Sequence, residues 1–458
     1  MLSLESMSSM PISETMWQCV YFTFFLYILS EAIFWVAIKI LAKSFEKPKE
    51  PAEYGICSIE LVRRILCNIE KLNRYEVKHF LEKWFKDQTP LKDICIENYR
   101  SFFAWVMFAS FHEDLSPTQS DQVDTSLNEM FQKLNIKPQK GFNPTCSHVN
   151  MTIGEFSYTH RPLLLYILHG VKKIFEDMSL RALGFQQRRV GKVNYWYRPA
   201  SDVSGYEVQT SNVYFHGITT GWGGYVELVR QTSDFFKKNR TIFLFDMECI
   251  KINSLHFEMP TAEYYSNAVQ KVLDRHHVDK VNVFGHSFGT ITAGWFIKNY
   301  PSYVSHVTLI DPVSLLLAHP ETAFNFLYRE PSTLIEWCIY LVAAQEITIA
   351  YSLRRNFWWY KNILWLEDIP SNIGVHVSLA GNDEVACAHT IRDYAEVCNT
   401  SRQTQKESRS DDTVMSIECS LREGQSHAQI LICGQSIMEL TQHLERQQPK
   451  GVAVKKLV

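Results

Sequence analysis

The chain of 458 residues lacks the residue patterns that mark several large classes of function. Its 11 cysteines are odd in number and none is spaced as Cys-x-x-Cys, so we expect reduced thiols rather than a disulfide framework. No His/Cys cluster has zinc spacing and no Gly-rich phosphate-binding loop occurs, so we expect no metal and no nucleotide cofactor. A net charge of −3 without a dense basic stripe argues against nucleic acid as a partner. The remaining composition, 46% hydrophobic and 13% aromatic, is that of a folded chain with a large core.

An apolar run near the N-terminus predicts a membrane anchor. Residues 16–38 carry a single charge, Glu31, and a helix of twenty-odd such residues spans a hydrocarbon core of about 30 Å. Acidic Glu5 and Glu14 precede the run where a secretory signal has Lys or Arg, and no small-residue cleavage site follows. A buried or interfacial helix is the alternative. The basic residues after the run favour the anchor and place the rest of the chain in the cytosol; they are Lys39, Lys43, Lys47 and Lys49.

The region after the anchor has helical patterns but no recognisable chemistry. Residues 100–111 are apolar on nearly every side and predict a core helix or a second membrane contact. Residues 112–148 turn polar and predict a long loop, whereas residues 163–176 predict another helix. We expect this region to serve anchoring and packing.

From about residue 191 the pattern changes to short β-rich runs separated by helical ones. Several runs are apolar throughout, as in parallel strands that are covered on both faces. Strands that alternate with helices predict a parallel sheet with right-handed crossovers. The predicted strands are 192–197, 212–215, 241–245, 280–284, 307–310, 375–379 and 413–419, with a polar loop at 399–412 and a closing helix at 428–444.

One strand, residues 280–284, leads directly into the motif Gly285-His286-Ser287-Phe288-Gly289 and then into a helical pattern. A serine on so abrupt a turn presents its hydroxyl above the sheet, and glycines on both sides leave room for the adjoining strand and helix. An ordinary loop is the alternative for an isolated Gly-x-Ser-x-Gly. In this context the motif resembles the nucleophile elbow of the α/β-hydrolase family, which implies an α/β fold with a mostly parallel eight-stranded sheet.

The resemblance also implies an acid and a histidine, in that order, after the nucleophile Ser287. Asp383 follows a predicted strand in Ala-Gly-Asn-Asp, similar to the acid turn of the family, and His427 lies in Gly-Gln-Ser-His after the last strand. We expect His427 to act as general base and later acid, and Asp383 to orient its imidazole. Asp311, at the end of another strand, is a second candidate acid, and Asp383 could instead be a turn residue.

The tetrahedral intermediate of acyl transfer requires two donors. The resemblance assigns one to the backbone N–H of Phe288 and the other to that of Ile218, which follows His216-Gly217 after a predicted strand. An ordinary Gly-rich loop is the alternative for this turn.

We therefore divide the chain into a tail at 1–15, a transmembrane anchor at 16–38, a linker and helical region at 39–185, an α/β-hydrolase domain at 186–448 with a lid at 313–374, and a tail at 449–458. The lid is dense in aromatic residues with few charges, which suits an apolar acyl or alkyl group or contact with a bilayer. A membrane-anchored serine esterase or lipase for lipid-like esters is expected. An acyltransferase with the same triad and a catalytically idle binding module are the alternatives.

The expected location is the endoplasmic-reticulum membrane with the enzyme facing the cytosol. The terminal Lys455-Lys456-Leu457-Val458 resembles the di-lysine retrieval signal of that compartment. Three sequons would offer glycan acceptors in the lumen, and we expect none to be used; they begin at Asn150, Asn239 and Asn399.

Overall fold

The structure is a computed structural model that describes residues 14–49, 59–71, 77–85, 89–201, 209–233, 240–409, 411 and 413–447. Most of the predicted linker after the anchor, the Asn239 sequon and the di-lysine sequence lie outside these residues. The N-terminal part is helical: α1 Glu14–Ser44, α2 Ile59–Lys71, α3 Val77–Glu82, α4 Ile96–Phe108, α5 Pro117–Leu134 and α6 Leu163–Ala182.

The long apolar helix α1 extends beyond the predicted 16–38, and its C-terminal half contacts the rest of the protein. Its side chains from Met16 to Val36 are mostly exposed, whereas Ile38, Ala42 and Phe45 are buried. By length and composition it is the one helix in the described part of the chain that could cross a membrane without a bend.

Helix α4 is a core helix, because nine of its residues are buried, from Asn98 to Phe108. The long loop predicted for residues 112–148 is wrong, since α5 occupies half of it. Ser116 begins α5 with a capping box and a proline follows in its first turn, while Val123, Leu127 and Met130 form the buried face.

The predicted eight-stranded, mostly parallel sheet is confirmed. Its strands are β1 Gln186–Val190, β2 Val193–Arg198, β3 Ser211–Phe215, β4 Ile242–Phe245, β5 Val281–His286, β6 Val304–Ile310, β7 Gly374–Ala380 and β8 Ile417–Arg422. They lie in the order β1-β2-β4-β3-β5-β6-β7-β8, with β1 and β2 antiparallel to their neighbours and the others parallel. The parallel strands therefore bring their carboxyl ends to one edge, where ligand sites of such sheets form.

Helices cover both faces of the sheet: α7 Val226–Thr232, α8 Ala262–Arg275, α9 Gly289–Asn299, α10 Pro320–Leu327, α11 Leu334–Cys338, α12 Ile347–Arg355, α13 Trp359–Asn362, α14 Ala388–Arg409 and α15 Gly434–Gln447. Side chains of α8, α9 and α14 share one core cluster with α4 and α5. Those of α7 and α15 fill a second cluster on the opposite face. The segment α10–α13 lies between β6 and β7, in the predicted lid.

The C-terminal part differs from the prediction in its element bounds. The polar loop predicted at 399–412 is wrong, because α14 continues to Arg409. Polar residues hold this end of the helix: Arg402 is buried and donates to the carbonyls of Ile373 and Ile369, and Asn399 accepts the N–H of Ile417. The last strand accordingly begins at Ile417, and the closing helix begins at Gly434.

Candidate active site

Ser287 occupies a strained turn between β5 and α9. Its φ is +51°, in the left-handed region that costs a non-glycine residue energy. The flanking glycines permit the turn: a Cβ on Gly285 would lie 2.8 Å from the carbonyl oxygen of Gly289, and one on Gly289 would overlap the carbonyl of Phe215. The N–H of Ser287 is fixed by the carbonyl of Ile310 at 2.9 Å. The neighbouring strands thus hold the hydroxyl at the carboxyl edge of the sheet.

Three side chains predicted from the sequence form one hydrogen-bonded series at this edge. Nε2 of His427 lies 2.8 Å from Oγ of Ser287, and Nδ1 of the same ring lies 2.8 Å from Oδ2 of Asp383. The other carboxylate oxygen of Asp383 accepts the N–H groups of Val385 and Ala386 at 2.7 and 2.8 Å. The carboxylate is therefore fixed by its own turn, and the imidazole by the carboxylate.

Asp311 lies close to the same histidine but has different partners. Its Oδ1 accepts from Nη2 of Arg422 at 2.6 Å, and its Oδ2 accepts the N–H of Ala428 at 3.0 Å. Asp311 is fully buried, and burial raises its pKa despite the ion pair with Arg422. The geometry therefore makes Asp311 a brace for the loop that carries His427, and gives Asp383 the contact with the ring.

The electrostatic surroundings of His427 favour its charged form. Burial by itself lowers the pKa of this imidazole, but the carboxylates of Asp383, Asp311 and Glu384 outweigh it and raise the pKa to about 9. Glu384 also accepts the backbone N–H of His427 at 2.9 Å. An imidazolium that forms when Ser287 loses its proton would be stabilised by all three carboxylates.

The turn predicted to supply the second oxyanion donor lies against the elbow. His216 is buried and neutral, because burial lowers its pKa to about 4, and its Nδ1 donates to the carbonyl of Gly217 at 2.7 Å. The N–H of Gly217 donates to Oη of Tyr225 at 2.8 Å. Hydrogen bonds thus fix both the N–H and the carbonyl of Gly217. The N–H groups of Ile218 and Phe288, in contrast, have no acceptor among the described residues.

The ring of His286, the residue that precedes Ser287, bonds to Tyr225. Oη of Tyr225, which accepts from Gly217, also shares a hydrogen bond with Nδ1 of His286, 2.8 Å away. Burial lowers the pKa of His286 well below its ordinary value, so the ring is neutral. A series of hydrogen bonds thus links the turn at Gly217 to the residue that precedes Ser287.

An apolar cavity of about 380 Å³ adjoins the serine. The elbow, the turn at Ile218 and the lid helices α10–α12 all line it; representative residues are Phe288, Val313, Phe326, Leu334, Ile339 and Leu353. Its size falls in the range of small-ligand sites, roughly 300–1,000 Å³. The hydroxyl of Ser287 and the imidazole of His427 are among its few polar groups.

Asp311, Asp383 and His427 also offer ligand atoms within 4.8 Å of one another, as in a possible metal site. Both ring nitrogens of His427 already have partners, and Asp311 is paired with a guanidinium. Because their ligand atoms are already engaged, these three side chains are better arranged for proton transfer than for binding a cation.

Three residues of this site were missed by sequence reasoning: Tyr225, Glu384 and Arg422. Glu384 follows Asp383 directly, and that position is its one signal in the sequence. Arg422 ends β8, which β7 separates from β6 and Asp311, so the sequence has no signal for their pairing. Nothing in the sequence around Tyr225 marks it.

Comparison with known proteins agrees with this architecture. Residues 189–336 match the family described as alpha/beta hydrolase fold. No curated protein sequence matches the chain.

Three of the similar solved structures are named as a phospholipase or an esterase. A bacterial membrane phospholipase A is 14% identical, with 62% of this chain and 92% of that chain covered and a TM-score of 0.40. A carboxylesterase from Bacillus subtilis is 12% identical, with coverage of 62% and 100% and a TM-score of 0.37. Naproxen esterase from the same organism is 11% identical, with coverage of 60% and 98% and a TM-score of 0.37. Likeness this distant carries no argument. The sheet order and the family match over residues 189–336 show that the chain contains an α/β-hydrolase fold.

Proposed function

We propose that this protein is a serine hydrolase that cleaves carboxylic esters of lipid-like substrates through an acyl-enzyme on Ser287. The observation that carries the proposal is the series Ser287–His427–Asp383, with 2.8 Å at both contacts. In the proposed reaction His427 takes the serine proton as the hydroxyl oxygen attacks the ester carbonyl, and then gives it to the departing alcohol. Water, activated by the same ring, releases the acid and regenerates Ser287.

The N–H groups of Phe288 and Ile218 are the proposed donors to the oxyanion. Both belong to backbone that is fixed before substrate binds, and donors of this kind stabilise charge without reorganisation. An idle binding module has no need of two such donors beside an activated serine. Acyl transfer to an alcohol remains the alternative outcome of the same acyl-enzyme, and product analysis with a competing alcohol would distinguish it from hydrolysis.

The apolar cavity supports the proposed lipid-like substrate class, and an acyl-chain series tests it. Turnover of p-nitrophenyl esters should rise from acetate towards longer chains of matched solubility. Ala343 lines the cavity, so Ala343→Phe should reduce the rate on long chains and spare acetate. Val342→Phe, at an exposed neighbouring position outside the cavity lining, is the matched control. Equal wild-type rates on all chain lengths would remove the lipid assignment and leave the hydrolase assignment intact.

We further propose that α1 anchors the enzyme in the endoplasmic-reticulum membrane with the catalytic domain in the cytosol. The lysines that border the apolar run support this orientation, as do the ten cysteines that the structure describes, none of which forms a disulfide. The protein should stay with membranes at high salt and carry no glycan. A mobility shift on deglycosylation would overturn the orientation, and release by salt alone would overturn the anchor.

A further inference from the structure

Helix α6 presents an apolar stripe that nothing in the described structure covers. The stripe consists of Ile167, Leu168, Val171, Ile174, Phe175 and Met178, all of them exposed. Their spacing places them along one face of the helix. Only Leu180 of α6 is buried. An apolar face of this length is unusual on a soluble monomer and marks a contact surface.

The polar side of α6 faces the protein, which leaves the stripe directed outward. Lys172 donates to Oγ1 of Thr220 at 2.6 Å and pairs with Glu176. The carboxylate of Glu176 occupies the space beside Gly221 and Gly223, where a Cβ on either glycine would overlap it. The helix is thereby seated on the loop that follows the proposed oxyanion turn.

The start of α6 is tied to the proposed anchor. Glu31 of α1 accepts the N–H of Leu163, the first residue of α6, at 2.7 Å and also contacts Nε2 of His160 at 3.1 Å. The Phe34 and Tyr166 rings lie 5.0 Å apart. The single charge within the apolar run therefore caps α6 and is not left unpaired in the membrane.

The length of α1 determines how deep in the bilayer the contact between Glu31 and the start of α6 lies. At about 1.5 Å per residue, Met16 and Glu31 are separated by about 22 Å along the helix, whereas the hydrocarbon core is about 30 Å thick. If Met16 lies at the far boundary, the start of α6 lies about 8 Å inside the near boundary. Interfacial helices bury their apolar face to about 5–10 Å.

The lid residues that form one wall of the cavity also extend the exposed apolar surface of the α6 stripe. Leu334 and Ile335 line the cavity and are exposed on their other side, Leu334 to 79%. The π-helix Ile339–Ala344 that follows them is joined to the start of α6, because Arg161 donates to the carbonyls of Leu341 and Val342 at 2.5 and 2.6 Å. Anchor, stripe and cavity wall are thus adjacent.

We propose that the α6 stripe and the exposed face of residues 334–342 bind the surface of the lipid bilayer as a second membrane contact beside α1. The cavity next to Ser287 then opens towards the membrane, and an ester can enter it from the lipid phase. The bilayer is favoured over a second copy of the chain because the stripe continues from a helix whose own apolar residues are exposed. The proposal rests on the proposed anchor.

Photocrosslinking of the full chain in phosphatidylcholine vesicles tests the proposal. p-Benzoylphenylalanine replaces Phe175, which is 64% exposed, or Phe22 of α1, which is 63% exposed. A third protein carries the probe in place of Lys280, which directly precedes β5 and so lies at the opposite end of the sheet from Ser287. The vesicles contain a phosphatidylcholine with a radiolabelled acyl chain. Thermal unfolding identifies any variant that fails to fold; Phe175 would then be replaced by probe at Ile174.

The expected result is labelled lipid on the probes at Phe22 and Phe175, with similar yield, and at least tenfold less at Lys280. Lipid on Phe22 but not Phe175, or a crosslinked dimer from Phe175, overturns the proposal and leaves the anchor intact. Absence of lipid from Phe22 overturns the anchor and the proposal with it. None of these outcomes depends on esterase turnover, so a failure of the proposed catalytic function is detected separately.

Discussion

Gly217 lies so close to Ser287 that a Cβ placed on it would be 2.8 Å from the serine Cβ. The same atom would lie 3.0 Å from the carbonyl oxygen of His286. The absence of a side chain at Gly217 therefore allows the turn with the proposed Ile218 donor to lie against the elbow with the proposed Phe288 donor.

Replacement of Gly217 by alanine should separate the two proposed donors. We expect Gly217→Ala to lower kcat by about 10²–10³-fold with little change in KM, the usual loss when one oxyanion donor is removed. Gly224→Ala in the same loop is the matched control, because a Cβ placed there would have no heavy atom within 4 Å. Steady-state kinetics and thermal unfolding of both variants check this. Equal activity of the two variants would contradict the assigned turn.

Substitutions of the two candidate acids should have different consequences. Asp383→Asn should lower kcat by about 10⁴-fold, because an amide no longer selects the correct tautomer of His427. Asp311→Asn should lower kcat far less but destabilise the fold by about 3–5 kcal/mol, since it leaves the buried guanidinium of Arg422 without its charged partner. Measurements of kcat and of the free energy of unfolding in urea for both variants show which aspartate orients His427 and which one stabilises the fold. A larger loss of kcat in Asp311→Asn would reverse the assignment.

The raised pKa of His427 predicts an alkaline activity profile. A general base must be neutral, and a pKa of about 9 leaves most of the imidazole protonated at neutral pH. The value of kcat/KM should therefore rise about tenfold per pH unit below the pKa and level off above it. Glu384→Gln removes one carboxylate that raises this pKa while keeping an acceptor oxygen, so the midpoint should move to lower pH. A midpoint near 6.5 in the wild type, or one that Glu384→Gln leaves unchanged, would contradict this electrostatic account.

Sequence reasoning identified the parallel strands and the three side chains of the series well, because both depend on local signals. Buried parallel strands are apolar throughout, and the serine, acid and histidine each follow a strand in a recognisable turn. The antiparallel edge strand β1, Gln-Gln-Arg-Arg-Val, has no such signal, because four of its five residues are exposed. Its pairing with β2 depends on partners elsewhere in the sheet.

The wrong predictions concern polar helices. The helix α5 has apolar residues only along one narrow face, and the second half of α14 has none of the usual periodicity because Arg402 is its buried contact. The capping box at Ser116 and the spacing of Val123, Leu127 and Met130 could have revealed α5. No local pattern could have revealed that an arginine would satisfy backbone carbonyls of the segment that precedes β7. The choice between Asp383 and Asp311 also required the three-dimensional position of Arg422.

The central claim is that Ser287 is an activated nucleophile, and labelling with a fluorescent fluorophosphonate tests it most directly. The wild-type protein should be labelled stoichiometrically, Ser287→Ala should not be labelled, and both should have the same unfolding temperature. Ser426→Ala, which alters another serine beside His427, should be labelled like the wild type. Labelling of Ser287→Ala, or none of the wild type, would contradict the account.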